Sequence, residues 1–253
     1  MYVFVKYNIY QNYINYNSFK GIKKYDEVVL IDCSNNKLTS LPELPNFIKV
    51  LVCSGNELIE LSEFPNSLIE LRCIYNQLKL LPKLPNSLQR LECSDNKLTE
   101  LSKLPNSLEI LYCGGNQLSE LPKLPNSLKR LYCSNNQLTS LPELPNSLKE
   151  LKCQNNKLTE LPELPNLLKK LWCLNNKLTS LPELPNSLIK LYCYNNNLTS
   201  LPKLPNSLQT LHCSYNQLTS LLKLPNSLTK IYCKNNKFIK KVNHKYLKQF
   251  VYF

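Results

Sequence analysis

The sequence of 253 residues contains no alanine, only four glycines and one tryptophan, and it has no run of 18 apolar residues. Without such a run, no transmembrane helix is expected. The first residues are aromatic and polar, and they lack the apolar core of about 7–15 residues and the small-residue cleavage site of a secretory signal peptide. These absences favour a cytoplasmic, reducing location.

Catalytic motifs are also lacking. The chain has no glycine-rich phosphate loop, no paired catalytic carboxylates and no serine, histidine and aspartate set, and its two histidines are His212 and His244. A nucleophilic cysteine would need an adjacent base, and these two histidines do not recur with the cysteines. An enzyme is therefore not expected, and neither a cofactor nor a small-molecule substrate is implied.

Lysine is abundant, and the formal net charge is +13. Most of this charge lies at the two ends of the chain. Residues 1–27 carry four lysines against Asp26 and Glu27, and the chain after Cys233 carries six lysines and no acidic residue. The middle of the chain is therefore only mildly basic.

A repeat of 20 residues organises the chain. All 11 cysteines fall in one column of this repeat. Each is followed three residues later by asparagine and preceded two residues earlier by leucine or isoleucine. The column consists of Cys33, Cys53, Cys73, Cys93, Cys113, Cys133, Cys153, Cys173, Cys193, Cys213 and Cys233.

One central unit reads Leu128-x-x-Leu131-x-Cys133-x-x-Asn136-x-Leu138, and an L-P-x-L-P half follows it. This unit resembles the leucine-rich repeat in its shortest subclass. That subclass is similar to the repeats of secreted bacterial effectors, some of which are ubiquitin ligases, and to repeat proteins of large DNA viruses of amoebae. The resemblance implies a horseshoe-shaped solenoid with a binding role. For a viral protein, the cytoplasm would be that of the host cell.

The residues predict the same fold independently. Leu131 and Cys133 alternate with Tyr132, as in a short strand whose leucine and cysteine point inward. Pro142 and Pro145 prevent a continuous helix on the return segment. We therefore expect an α/β-class leucine-rich-repeat solenoid with a parallel β-sheet on its concave face. Its convex face should be extended or polyproline-like, with little helix.

The ends of the chain should form caps, because the first and last coils of a solenoid would otherwise expose apolar edges. Residues 1–27 are rich in aromatic side chains and are predicted to fold over the first repeat. Residues 28–240 hold the eleven repeats, and residues 241–253 form a basic C-terminal cap. Within this cap, residues 241–248 could form a short helix, and residues 251–253 are in register with a twelfth strand.

The cysteine and asparagine columns are interpreted as structural. Stacked cysteines would lie about 4.8 Å apart, but their Cβ vectors run parallel and their number is odd, which argues against disulfides. Zinc sites generally place ligands about two to four residues apart, so no metal is expected. Reduced cysteine fills the core as a small apolar residue. The asparagines are expected to satisfy backbone groups of their own and the adjoining coil.

Binding residues are expected on the concave face, in the variable outward positions. The column just before cysteine contains four tyrosines and the single tryptophan, and lysine and arginine lie beside it. Aromatic and basic side chains are enriched in protein interfaces, although outward tyrosines could instead form only a stabilising stack. The predicted partner-binding residues are Tyr112, Arg130, Tyr132, Lys152, Lys170, Trp172, Lys190, Tyr192, Tyr194, His212, Tyr215, Lys230 and Tyr232.

Three functions are consistent with this pattern. The first is a non-catalytic protein–protein interaction module with an acidic or mixed partner. The second is nucleic-acid binding through basic and aromatic residues, although no nucleic-acid-binding motif is present. The third is the substrate-recruiting subunit of a ubiquitin ligase, since no catalytic domain with a nucleophilic cysteine follows the repeats. A membrane partner is not expected.

Overall fold

A computed structural model describes residues 1–8, 12–221, 223–238 and 251–252 of the chain. The chain divides into two compact units, Met1–Leu128 and Lys129–Phe253. Within the described residues the helices are two short 3-10 helices, Phe19–Gly21 and Tyr25–Glu27. No helix in that part of the chain is long and apolar enough to cross a membrane.

The first unit, Met1–Leu128, contains five repeat strands, which are numbered β3 to β7 because two other strands precede them in the chain. They run parallel and pair in sequence order without a shift, so that Leu51 on β4 is the partner of both Ile31 and Leu71. Each strand is three residues long, and the bounds are Leu30–Asp32 (β3), Val50–Val52 (β4), Glu70–Arg72 (β5), Arg90–Glu92 (β6) and Ile110–Tyr112 (β7).

Two further strands precede the repeats of this unit. Strand β1 (Val3–Lys6) pairs antiparallel with β3 and with β2 (Ile14–Tyr16). The amide of Tyr2 donates to Oδ1 of Asn36 at 2.7 Å, and Nδ2 of Asn36 donates to the carbonyl of Tyr2, also at 2.7 Å. Residues ahead of the first repeat thus cover its sheet edge. The predicted boundary of a cap at residue 27 stays a prediction.

The second unit, Lys129–Phe253, has only parallel pairing within its described residues. Its strands again pair in sequence order, with Leu171 opposite both Leu151 and Leu191. The bounds are Arg130–Tyr132 (β8), Glu150–Lys152 (β9), Lys170–Trp172 (β10), Lys190–Tyr192 (β11), Thr210–His212 (β12), Lys230–Tyr232 (β13) and Val251–Tyr252 (β14). The last of these is the extra strand that the sequence register suggested, whereas the suggested helix over residues 241–248 lies outside the described residues.

The core of each unit is built from the apolar columns of the repeat. In the fourth repeat, Leu88, Leu91, Cys93 and Leu98 all have 0% of their surface exposed. Burying a leucine side chain stabilises a fold by about 1.5–3 kcal/mol, so these columns supply most of the favourable free energy. All 11 thiols are free and buried, as expected for cysteine used as a small apolar residue.

The asparagine column makes the backbone contacts predicted for it. Nδ2 of Asn76 donates to the carbonyl of Cys73 in its own repeat at 3.2 Å and to that of Cys53 in the preceding repeat at 3.0 Å. Its Oδ1 accepts from the amide of Leu58 at 3.1 Å. One buried amide therefore satisfies backbone groups that stacking would otherwise leave unpaired.

The return segment is extended, as its prolines require. It closes with a tight turn in which the amide of Leu88 donates to the carbonyl of Pro85 at 3.1 Å. The serine inside this turn donates its hydroxyl to the previous repeat, with Oγ of Ser87 2.6 Å from the carbonyl of Leu68. The predicted solenoid, with a parallel sheet on one side and an extended opposite side, is therefore confirmed.

Candidate functional site

The outer face of a unit is defined here as the first and third residues of its repeat strands. On β10, Lys170 and Trp172 are half-buried on this face, while Leu171 between them is buried. The alternation places all but two of the predicted binding residues on an outer face, all of them except Tyr112 on that of the second unit. Tyr194 and Tyr215 follow the strands, and Tyr112 belongs to the first unit, where the guanidinium of Arg90 lies 5.5 Å from its ring.

Four rings form a continuous column on the outer face of the second unit, and we call this column the ring ladder: Trp172, Tyr192, His212 and Tyr232. The centroids of Trp172 and Tyr192 are 5.7 Å apart and their planes differ by 4°. His212 continues the column, with centroid distances of 6.3 Å to Tyr192 and 4.9 Å to Tyr232. All four residues are half-buried, so each keeps part of its surface open to solvent.

Lys152 extends the ring ladder to Tyr132 on β8. Its Nζ lies 4.1 Å from the centre of the Tyr132 ring and 5.0 Å from that of Trp172. A cation over an aromatic face is attracted by the ring quadrupole, by about 0.5–1 kcal/mol at an exposed site. The column of outward residues just before cysteine is therefore in contact from β8 to β13.

Glu150 links Tyr132, at the end of the outward column, to Lys170, the basic first residue of β10. Its two carboxylate oxygens accept from the hydroxyl of Tyr132 and from Nζ of Lys170, both at 2.7 Å. Partial burial alone would raise the pKa of Glu150, but the hydrogen bonds from Lys170 and Tyr132 lower it below its ordinary value. The carboxylate is therefore ionised at neutral pH and holds two predicted binding residues in fixed positions.

His212 is the only histidine among the described residues, and it lies inside the aromatic cluster. Its ring centroid is 4.2 Å from that of Tyr194, which follows β11. Burial lowers the pKa of His212 below its ordinary value, so the imidazole is neutral at physiological pH. It acts here as a flat ring with two polar atoms rather than as a cation.

The remaining basic residues of the predicted site are less constrained. Arg130 and Lys230 are exposed at the start of their strands, and Lys190 is half-buried. Lys190 lies directly beside Lys170 in the register of β10 and β11. Among the described residues, neither Lys190 nor Lys230 makes an ion pair.

Tyr215 is an unusual member of the site. It has a φ of +53°, in the left-handed region that suits glycine and asparagine better than tyrosine. The same repeat position holds Asn195 in the repeat before and Asn235 in the repeat after. Although its backbone is strained, the Tyr215 side chain is 56% exposed, so burial does not compensate for the strain.

The position two residues after cysteine also carries a feature that sequence reasoning missed. Asn135, Asn155, Asn175 and Asn195 form a chain of side-chain hydrogen bonds, each Nδ2 donating to the Oδ1 of the previous asparagine at 2.5–2.8 Å. The sequence signal was the recurrence of asparagine there in four successive repeats. This amide ladder borders the ring ladder at the ends of the strands.

The outer face of the first unit has a different character. Glu70, Arg72, Arg90 and Glu92 form a connected ionic cluster, in which Nε of Arg72 is 2.5 Å from Oε1 of Glu70 and Nε of Arg90 is 2.7 Å from Oε1 of Glu92. Arg90 also reaches Glu70 at 3.3 Å. These charges neutralise one another, so the cluster offers fewer free groups to a partner.

The cysteine column offers no reactive group. Burial raises the pKa of Cys173 to about 12, so its thiol is protonated at neutral pH. No group of three or more histidine, cysteine, aspartate and glutamate residues that could hold a metal ion occurs in the part of the chain that the structure describes.

Two overlapping segments, residues 106–146 and 126–166, match the family described as Leucine Rich repeats (2 copies). The structure is similar to that of YopM from Yersinia enterocolitica WA-314, with a TM-score of 0.73 and 35% identity over 87% of this chain and 51% of that chain. YopM from Yersinia pestis, a leucine-rich effector protein, gives a TM-score of 0.73 and 40% identity over 82% of this chain and 66% of that chain. The chain thus spans between half and two thirds of these relatives.

A third similar structure is the functional domain of InlJ from Listeria monocytogenes, which includes a cysteine ladder. Its TM-score is 0.71, with 24% identity over 89% of this chain and 54% of that chain. This likeness concerns the fold. No curated protein matches the chain in sequence.

Proposed function

The chain belongs to the leucine-rich-repeat proteins, and on that basis we propose that it is a non-catalytic module that binds a protein partner. The fold and the effector relatives support a protein-interaction module in general. More specifically, we propose that the partner docks on the outer face of the second unit. We further propose that this takes place in the cytoplasm, where reducing conditions keep the thiols free.

The observation that carries this proposal is the ring ladder. Trp172, Tyr192, His212 and Tyr232 are fixed by mutual ring contacts before any partner arrives. Rigid aromatic side chains bind at a low cost in conformational entropy, and tryptophan and tyrosine are the residues most enriched among binding hot spots. The ladder is therefore a preorganised surface of the kind that protein interfaces use.

The same geometry favours a protein over a nucleic acid. Proteins that bind single strands stack bases on exposed aromatic faces. Here the faces of Trp172 and Tyr192 are turned toward each other, and Lys152 covers faces of Tyr132 and Trp172. The parts of these half-buried rings that stay open to solvent suit contacts with peptide groups and side chains. Recruitment of a substrate for a ubiquitin ligase remains a form of this proposal, because the recruited substrate would itself be a protein.

Tyr215 provides the sharpest test. A strained residue with an exposed side chain contributes little to folding. Because Tyr215 follows β12, three residues after His212 of the ring ladder, we propose that its side chain contacts the partner. Tyr75 in the first unit is a matched control, because it occupies the same repeat position with a φ of +54° and a side chain that is 66% exposed. Most other repeats carry asparagine, aspartate or glycine there, so Tyr215→Asn and Tyr75→Asn are both compatible with the fold.

The experiment uses the purified protein and its variants to capture a partner from a lysate of the cells that naturally make the protein. The captured proteins are identified by mass spectrometry. We expect Tyr215→Asn to weaken capture about tenfold and Trp172→Ala to abolish it, while Tyr75→Asn captures like wild type. Thermal unfolding confirms that each variant is folded. Undiminished capture by both Tyr215→Asn and Trp172→Ala would refute this binding face.

A further inference from the structure

The two outer faces differ in charge. On the first and third residues of β8 to β13, the second unit carries five basic residues and one acidic residue, Glu150. The same positions of β3 to β7 carry two basic and three acidic residues. The positive charge is thus concentrated where the ring ladder lies. The basic residues of that face are Arg130, Lys152, Lys170, Lys190 and Lys230.

The one acidic residue on this face is fully engaged. Both carboxylate oxygens of Glu150 accept hydrogen bonds, one from Tyr132 and one from Lys170. It therefore neutralises Lys170 and also attracts Arg130, but it leaves Lys190 and Lys230 to interact with a ligand. Lys149 and Lys169, exposed immediately before β9 and β10, add positive charge at the same margin of the sheet.

The free basic residues also have a regular spacing. Lys190 and Lys230 start β11 and β13, two strands apart, with Thr210 between them. Adjacent strands are about 4.8 Å apart, so these two positions are separated by about 10 Å. In the polyproline II conformation a peptide rises about 3.1 Å per residue and completes a turn in three residues, so side chains three residues apart lie on the same side, about 9 Å apart. Carboxylates three residues apart would match the two lysines.

We infer that the partner segment bound on this face is an acidic polypeptide in the polyproline II conformation, with aspartate or glutamate at intervals of three residues along the column of Lys190, Thr210 and Lys230. This inference rests on the proposed function and assigns the chemistry of the partner. The acidic side chains lie over Lys190 and Lys230, and the residues between them contact Tyr192, His212 and Tyr232. Electrostatic complementarity of this kind sets specificity and the rate of association.

The test uses a fluorescein-labelled peptide of four Glu-Ser-Tyr triplets, with the charge-reversed Lys-Ser-Tyr peptide and a 12-nucleotide oligothymidylate as comparisons. Fluorescence anisotropy measures binding to the full chain at low and moderate salt. We expect only the acidic peptide to bind well, with affinity that falls as salt rises. Lys190→Gln combined with Lys230→Gln should weaken binding on the order of tenfold, as expected for two exposed ion pairs.

Two further variants make the test specific. Lys203→Gln combined with Lys223→Gln removes the same charge from the proline-rich return segments and should leave binding unchanged. Glu150→Gln removes the acidic residue of the face and releases Lys170, so it should strengthen acidic-peptide binding about threefold. A gain in affinity is a result that a damaged fold would not give.

The inference is overturned if the acidic peptide does not bind at low salt, if the charge-reversed peptide binds equally, or if oligothymidylate binds more tightly through the same lysines. Repeating partner capture with the Lys190 and Lys230 double variant separates the two proposals. Capture that depends on Tyr215 but not on these lysines would leave the binding face standing and remove the acidic partner. Capture that depends on none of Trp172, Tyr215 and these two lysines would remove both.

Discussion

The indole ring of Trp172 lies parallel to the phenol ring of Tyr192, with their planes differing by 4° and their centroids 5.7 Å apart. The two residues are direct partners in the register of β10 and β11. Because neighbouring strands of a sheet are about 4.8 Å apart, equivalent positions on successive repeats bring flat side chains to a stacking distance. The stack is therefore a product of the repeat itself.

The energetic coupling between these two rings can be measured directly. Trp172→Ala and Tyr192→Ala should each lower the free energy of unfolding, and the double variant should lose less than the sum of the two. We expect a coupling of about 0.5–1.5 kcal/mol from a urea-unfolding double-mutant cycle. The control cycle pairs Trp172 with Tyr232, three strands away, which should be additive. Additivity in both cycles would contradict a stabilising stack.

The buried asparagine column should be far more important for stability than the exposed amide ladder. Asn196 donates to the carbonyls of Cys173 and Cys193, both at 3.1 Å, and accepts from the amide of Leu178 at 3.0 Å. Asn196→Ala leaves these buried groups unpaired and should cost about 2–5 kcal/mol in urea unfolding. Asn195→Gly, which keeps the left-handed backbone, should cost less than about 1 kcal/mol. Equal losses would show that the buried contacts are not the source of stability.

Replacing either strained tyrosine should stabilise the fold. Replacing Tyr75 or Tyr215 by asparagine relieves a backbone conformation that asparagine tolerates better. Each variant should therefore gain about 0.5–1 kcal/mol in free energy of unfolding, measured by chemical denaturation. If both substitutions lower stability, the side chains pack more favourably than their exposure indicates, and the argument for Tyr215 as a contact residue loses its basis.

The buried thiols predict a loss of stability at alkaline pH. Burial raises the pKa of Cys173 to about 12, whereas a thiol in an unfolded chain titrates near 8.5. The folded state holds the neutral thiol, so its contribution is complete below about pH 8.5 and is lost as the pH rises toward 12. At pH 10 the loss is about 2 kcal/mol for such a thiol.

Urea unfolding of wild type and Cys173→Ala at pH 7.5 and pH 10 measures this contribution. The variant should be less stable at pH 7.5 because it loses core packing, but its further loss on going to pH 10 should be smaller by about 2 kcal/mol. Identical pH dependence in the two proteins would mean that burial does not raise the pKa of the Cys173 thiol.

The scaffold could be predicted from the sequence because it depends on columns that repeat. Cys173 and Asn196 each stand in a column without exceptions, and one stacked arrangement explains both. The outward position of Trp172 followed from strand alternation alone. Such features need only the period of the repeat and the two-residue period of a strand.

The details of the site depend on contacts that no single repeat contains. The link from Glu150 to Tyr132 and Lys170 joins residues on three neighbouring strands and requires particular side-chain conformations. The left-handed backbone at Tyr215 is set by the turn after the strand, and tyrosine itself gives no indication of it. For these residues the repeat pattern predicted the strand and the face, but the hydrogen bonds and backbone conformation could be read only from the three-dimensional arrangement.

The hydrogen bonds of the asparagine column affect how the number of repeats can change during evolution. Within a unit, each coil uses its asparagine to complete the coil before it and is completed in the same way by the coil after it. An internal 20-residue segment can therefore be gained or lost while its neighbours keep the same bonds. Duplication or deletion of whole coils would lengthen or shorten the outer face in fixed steps, so new binding surfaces can arise by recombination without redesign of the fold.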